Sequence, residues 1–305
     1  MRKWFRKFCS SGFFIPLVLL MPYVCTILLN GADKALLLSS LDEEVMVPLL
    51  LMVQLKGDYE EEAVKAQAVI ARSNLYRRLA AGEQAGKIME EVSGEVTGKN
   101  TDRNSGGEYS FILAGTLSPG HLSQIWEMKK ADTLQENKNA ADATAGQVLT
   151  YQGELKLVPY HQISSGMTRD GAEVFHNEEY SYLKSVDSSQ DKDAPDYVNS
   201  TYVSASQLPA RLVIKKRDSA GYVTALTADG SWLEGESFRE GMHLASADFS
   251  MQKVGNAVRF LCKGKGHGLG FSQYGGNEMA KEGSSWEEIL EAYFPEMELQ
   301  NINSV

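Results

Sequence analysis

The densest run of chemistry-bearing residues is Gly264 to Gly276, GKGHGLGFSQYGG. It carries an imidazole (His267), a hydroxyl (Ser272), an amide (Gln273) and a phenol (Tyr274) in close succession. Glycines at 264, 266, 268 and 270 alternate with Lys265, His267, Leu269 and Phe271. In an extended chain alternate side chains share a face, so one face here would be bare backbone. Such a face admits a second backbone or a flat ligand such as a sugar ring. The plainer alternative is a tightly packed strand with a buried, hydrogen-bonded histidine. The run lacks G-x-G-x-x-G spacing and a P-loop lysine, which argues against nucleotide binding. The sequence has no H-E-x-x-H, paired C-x-x-C or G-x-S-x-G, so those hydrolase and metal chemistries have no foothold. The histidines at 121, 161, 176, 243 and 267 show no metal-ligand spacing.

The elements that must position these groups can be read coarsely. Asp58 to about Ala80 is the clearest helix. Asp58 precedes Glu61 by three residues, a capping-box-like start, and Glu60, Glu61 and Glu62 suit the positive end of the dipole. Val64, Ala68, Ala71, Leu75 and Leu79 recur at helical spacing as one buried stripe. Gln67 falls beside that stripe and Arg72 on its other side. A buried amide at 67 needs partners, either as a structural cross-link or as part of a site. A second helix is expected from about Ser118 to Asn137, and a last one from about Ser284 to Tyr293, ended by Pro295. From Gln147 on, VLTY, LKLVPYHQI, ARLVIKK, GYVTALTA and NAVRFLCK read as strands. Residues 97–108 and 187–200 are polar, turn-rich loops. Helices and strands come in blocks, which favours α+β over α/β.

The 305 residues are 43% hydrophobic and 23% charged, an ordinary globular composition that excludes wholesale disorder. The net charge of −10 removes the basic footprint of a nucleic-acid binder. Arg2, Lys3, Arg6 and Lys7 stand in the first 30 residues without an acid, which leaves −14 on the rest. Behind that basic tip, residues 12–29 hold no charge and would span about 27 Å as a helix, close to a bilayer's hydrocarbon thickness. The favoured reading is an uncleaved signal-anchor: residues 1–31 form the cytoplasmic tip and single membrane helix, and residues 32–305 one mixed α+β ectodomain on the extracytoplasmic side. A cleaved signal peptide stands second and a buried core helix third. Of three cysteines only Cys262 lies in the body, so no disulfide forms within it. Cys262 reads as a structural thiol.

GKGHGLGFSQYGGNEMAKEGSSWEEILEAYFP at 264–295 resembles the C-terminal signature of the stage II sporulation protein D / LytB amidase-enhancer family (SpoIID/LytB domain). EEAVKAQAVIARS at 61–73 is similar to that family's E-A-x-K-A-Q-A-x-A-A-R-[ST]. TAGQVLTYQGELKLVPYHQISSGMT at 144–168, YLKSV at 182–186 and SFREGMHLASADF at 237–249 fit as well. The blocks occur in order across most of residues 44–299. The resemblance implies a cell-wall protein of sporulating cells. Its sporulation members are lytic transglycosylases that cut peptidoglycan glycan strands between N-acetylmuramic acid and N-acetylglucosamine. They prefer strands stripped of stem peptides by a partner amidase, and they act during engulfment.

Glycan cleavage needs a proton donor, normally a carboxylic acid of raised pKa. The resemblance puts that Glu eight residues before the Glu of E-A-x-K-A-Q, which here is Gln54. Leu55 matches the family's following Met, while Lys56 stands where the family often has Pro. An amide hydrogen-bonds but cannot serve as a general acid near neutral pH. Loss of a general acid typically lowers the rate by ~10²–10⁴. Three readings stay open: a non-catalytic glycan binder or amidase activator, substitution by Asp58 or Glu60, and an enzyme aligned differently. The groove residues implied are Gln54, with Asp58 and Glu60 as substitutes, and Lys65, Gln67, Arg72, His161, Ser164, Ser165, His267, Ser272, Gln273 and Tyr274. Arg72 would pair with a buried acid or a muramic carboxylate. Some relatives bind zinc through cysteines near 160–168. Here Ser164 and Ser165 stand there and His161 is a weak ligand set alone, so neither metal nor cofactor is expected. Lys265 replaces the aromatic common before Gly-His-Gly. The partners expected are stripped glycan strands, a cell-wall amidase and the membrane through the N-terminal helix, with no nucleic acid.

Overall fold

The computed structural model describes residues 43–83, 88 and 130–304. The membrane segment at 12–29, Cys9 and Cys25, the loop at 97–108 and the first half of the helix expected from Ser118 lie outside them. Among the described residues no helix is long and apolar enough to cross a membrane. The chain divides into units of residues 1–46 and 47–305, and every described element beyond the first turn of α1 belongs to the second.

Helix α1 (Glu43–Gln54) was not legible in the sequence, with Pro48 inside it. Helix α2 (Glu61–Ala80) forms where the apolar spacing places it. Glu61 and Glu62 in its first turn and Arg77 and Arg78 in its last complement the dipole. Its cap is Glu60, without a side-chain cap bond, rather than Asp58. Val64, Ala68, Ala71 and Leu75 of the expected stripe are buried, but so are Ala63, Ala66, Val69 and Ile70 on the other faces. The alanines leave room for neighbours all round, so α2 is a central helix rather than a one-sided one.

Helix α3 (Lys130–Ala143) continues six residues past the expected end. Strand β1 (Gln147–Thr150) pairs antiparallel with the terminal strand β10 (Glu298–Asn301). β1 docks on α2 where Ser73 Oγ accepts from Leu149 N. Asn74 closes two bonds with the Val158 backbone nearby. The apolar run at 155–163 is a strand only at β2 (Tyr160–His161), which pairs parallel with β9 (Phe271–Ser272). Helices α6 (Gln273–Lys281) and α7 (Trp286–Tyr293) follow. The second starts on a Ser285–Glu288 capping box. The side chains of α2, β9 and α7 meet in one core around Ile70, Leu149, Phe271, Ile289 and Tyr293.

A second core holds Val223, Leu226, Phe238, Phe249, Phe260 and the fully buried Cys262. It is built from two antiparallel sheets. One contains β3 (Val198–Ser204), β7 (Phe249–Val254) and β8 (Ala257–Lys263) in the order β3-β8-β7. The other contains β4 (Leu212–Arg217), β5 (Val223–Ala228) and β6 (Ser231–Glu234) in sequence order. Helix α4 (Gly171–Phe175) precedes them, and α5 (Gly235–Gly241) packs on β5. β3 begins inside the expected polar loop, whose residues 189–193 form a 3-10 turn. Helices and antiparallel sheets thus segregate, a mixed arrangement consistent with α+β.

Between the two cores lies Arg169, 2% exposed. Its guanidinium donates to Asp218 at 2.6 Å, Glu236 at 3.3 Å and the His267 carbonyl at 3.1 Å, and stacks on Tyr222. Glu236 in turn pairs with Arg239. Nothing in the sequence pattern marks this ionic cluster. A buried ion pair with every charge answered holds one arrangement, because breaking it strands a charge.

The glycine run is not an extended strand with a bare face. Its four alternating glycines all take left-handed φ, from 64° to 114°. A β-carbon on Gly270 would strike the Pro159 carbonyl oxygen, and one on Gly264 would come within 2.7 Å of the Ser164 carbonyl. At these two positions the close approach is backbone against backbone, of residues 264–270 on 159–164, while Gly266 lies against the His161 β-carbon and Gly268 against the Tyr222 ring. Leu269 then fixes both imidazoles: its N–H donates to His267 Nδ1 at 3.0 Å, and its carbonyl accepts from His161 Nδ1 at 2.9 Å. The rings lie 5.7 Å apart and both residues are fully buried. Burial holds His161 down to about 4, helped by the Arg169 charge, and His267 well below its usual value.

Two outcomes follow from this packing. Gly270→Ala should lose about 3 kcal/mol in denaturant unfolding, from left-handed strain plus overlap with Pro159. Gly255→Ala, left-handed with open space around it, should lose only about 1–2 kcal/mol. As for pH, the unfolded chain protonates its histidines near 6.5 while the folded chain resists until about 4. Stability should fall as pH drops through that window, by about 3 kcal/mol for His161. Asp191, raised by burial, works in the opposite direction. Melting scans of His161→Gln should therefore show a shallower fall between pH 6.5 and 4 than the unaltered chain.

Candidate functional site

Helix α6 begins where the glycine run ends, and its first residues gather two polar clusters. Ser272 is its N-cap, accepting from Gly275 N and donating to Asp191 Oδ1 at 2.8 Å. The fully buried Asp191 also accepts from Ser164 N at 2.7 Å and Ser188 Oγ at 3.0 Å. Burial raises its pKa, and the three donors oppose that shift. Asp191 is sealed, so it ties residues 164, 188 and 272 together rather than meeting solvent. It was hidden inside an apparent polar loop; only the Ser188–Asp191 spacing of a tight turn was visible.

The neighbouring residue, Gln273, is also fully buried. Its Nε2 donates to the Gln54 backbone carbonyl at 3.1 Å and to Gln67 Oε1 at 3.2 Å. Gln67, fully buried on α2, donates through Nε2 to Gln54 Oε1 at 2.9 Å. Three glutamines from α1, α2 and α6 thus form one amide cluster, joining residues 206 and 13 positions apart. The orientation of Gln67 is fixed by its two partners, oxygen toward Gln273 and nitrogen toward Gln54. Gln54 is half-buried. Its Nε2 makes no hydrogen bond among the described residues, and Gln54 is the one member of the cluster that is not fully buried.

Around Gln54 stand other half-buried groups. Tyr274 follows Gln273 and donates its backbone N–H to the Gln162 carbonyl at 3.0 Å. Lys265 pairs its backbone with Ile163. Lys56, two residues past α1, is half-buried and held down to about 8 by burial and by the Lys265 charge. In the sequence Lys56 stood out only as a departure from proline.

The remaining residues named from the sequence lie elsewhere. Lys65 pairs with Glu61 and Glu62, both at 2.7 Å. Glu60 donates its backbone N–H to Asn277 Oδ1 at 2.8 Å while its side chain is exposed, and Asp58 is exposed as well. Arg72 is fully buried and donates to the Ala141 and Gln147 carbonyls and to Thr144 Oγ1. These contacts hold it at the C-terminal end of α3, where carbonyls present partial negative charge. Ser165 donates its N–H to the Tyr222 hydroxyl and its Oγ to the Ala220 carbonyl. Ser164 Oγ accepts from Gly166 N. His161 and His267 are interior. Of the residues named, the structure brings Gln54, Gln67, Gln273 and Tyr274 to one place, with Ser272 and Ser164 behind them on Asp191.

Residues 33–151 match the family model described as Stage II sporulation protein. The chain is 29% identical over 262 residues to stage II sporulation protein D of Bacillus amyloliquefaciens, covering 81% of this chain and 71% of that one. It is 28% identical over 252 residues to the protein of that name from Bacillus subtilis (strain 168), covering 79% and 69%. An uncharacterised protein of Brachyspira hyodysenteriae is 23% identical over 289 residues, 90% of this chain and 70% of the relative. Residues 33–151 thus carry a Stage II sporulation protein family domain, and the chain along four-fifths of its length is a relative of stage II sporulation protein D.

Proposed function

We propose that the chain binds peptidoglycan glycan strands at the Gln54 cluster, as a stage II sporulation protein D-like protein whose general-acid position is held by an amide. The observation that carries this reading is convergence. Position 54, the E-A-x-K-A-Q block and the G-H-G…S-Q block are distant in sequence and meet in three hydrogen bonds.

Gln54 is the isostere of a protonated glutamic acid. Its Oε1 accepts from Gln67, as the carbonyl oxygen of a carboxylic acid would, and its Nε2 stands where the acid's O–H would stand. Such a group can donate to a glycosidic oxygen and hold it. It cannot deliver the proton that bond cleavage requires. The bound strand is thus recognised without turnover, and the protein serves the cell wall as a binder or as an activator of a partner amidase. We place this body outside the cytoplasmic membrane on the charge-free segment 12–29, with the basic tip inside. The −14 body has no general attraction for an anionic wall, so recognition rests on local groups.

Gln54→Glu should convert the site to a lytic one. Incubated with glycan strands free of stem peptides, the variant should release 1,6-anhydromuramic ends by mass spectrometry, at least ~10² faster than the unaltered chain. Anhydro ends from the unaltered chain would overturn the non-catalytic reading. Gln67→Leu in the Gln54→Glu background should abolish most of that gain while costing about 1–3 kcal/mol of stability, since it strips the donor from position 54 and removes one of the two acceptors of the Gln273 amide.

A further inference from the structure

The amide cluster leaves two nearby cations unused. Lys56 is half-buried and, among the described residues, has no hydrogen bond or ion pair. The charged group whose field it feels is another cation, Lys265. Among the described residues Lys265 has one acidic partner, Asp196, at 3.6 Å, and that pair is loose and open, with side chains 43% and 68% exposed. The backbone explains why these two lysines come within each other's field. Gln273 bonds the Gln54 carbonyl, which brings the end of α1 to the start of α6. Tyr274 bonds the Gln162 carbonyl, and Ile163 exchanges both of its backbone bonds with Lys265. Residues 54–56 and 265 therefore flank the same corner.

Two like charges within each other's field, one of them partly out of water and, among the described residues, without a counter-ion, form an unfavourable arrangement in an otherwise acidic body. An anion arriving between them would relieve it. Removing Lys56 should leave stability unchanged or higher, which a lysine retained for packing or ion pairing would not allow.

We propose that Lys56 and Lys265 together bind a carboxylate of the glycan, the free lactyl carboxylate of a muramic residue that has lost its stem peptide. The assignment rests on the glycan reading of the neighbouring Gln54 site. It gives that site a means to tell stripped strands from peptide-bearing ones, in which the same carboxyl is an uncharged amide.

The test is calorimetric titration of the full chain with two ligands: stripped glycan strands, and the same strands with their carboxylates converted to primary amides. The unaltered chain should bind the free carboxylate form roughly tenfold more tightly, the scale of one charged hydrogen bond. Lys56→Gln and Lys265→Gln should each lower affinity for the carboxylate form toward that for the amide form, and leave the amide form unchanged. Lys56→Arg should keep the preference. Equal binding of both strands would overturn the carboxylate assignment and leave the glycan reading standing. So would a Lys56→Gln loss that is equal on both strands. Binding of neither strand would overturn the glycan reading and this assignment with it.

Discussion

The close packing of residues 264–270 on residues 159–164 sets the geometry on which the rest of the domain depends. Both segments are backbone at Gly264 and Gly270, and the left-handed glycines allow it. Backbone groups brought this close must bond to each other or to side chains aimed at them. That is why the peptide of Leu269 sits between two neutral imidazoles, and why the Gly268 and His267 carbonyls are taken by the backbone N–H and guanidinium of Arg169. The histidines, the most reactive-looking groups in the sequence, hold this contact from inside.

The contact has a directional consequence. It delivers the chain to Ser272 and Gln273 at the start of α6, and those adjacent residues divide the polar work. Ser272 turns inward to the sealed Asp191. Gln273 turns to Gln67 and the end of α1. The site at Gln54 is thus an assembly of amides, each with a fixed orientation, and not a cluster of titrating groups. Hydrogen-bonded amides of this kind present donors and acceptors at set positions without a charge to desolvate. That suits the proposed recognition of a neutral polyol.

Much of this was legible, in uneven ways. The α2 helix, the strands β4, β5 and β8 and the last helix announced themselves by period, turns and caps. The pairing of Gln67 with a partner was foreseeable, since a glutamine at that position on α2 could not stay unsatisfied. The identity of its partners was not, because nothing local links residues 54, 67 and 273. Asp191 and Arg169 were hidden for the same reason: each lies in a polar stretch, and only tertiary contacts bury it. The alternating glycines misled in their conformation, since the pattern of an extended strand and that of repeated left-handed turns against a neighbouring backbone are identical in sequence. Arg72 was visible as a flanking cation, but its anchoring to three oxygen acceptors around the end of α3 is a tertiary contact that no local pattern announces.

The central claim is that glycan is held at the amide cluster reached through Gln54. The most direct test is side-chain amide NMR of the ¹⁵N-glutamine-labelled chain during titration with stripped glycan strands. The account predicts that the Gln54 NH₂ signals shift first and most, with smaller shifts at Gln67 and Gln273 through their shared hydrogen bonds. Saturable binding that leaves all three pairs of signals unmoved would contradict it.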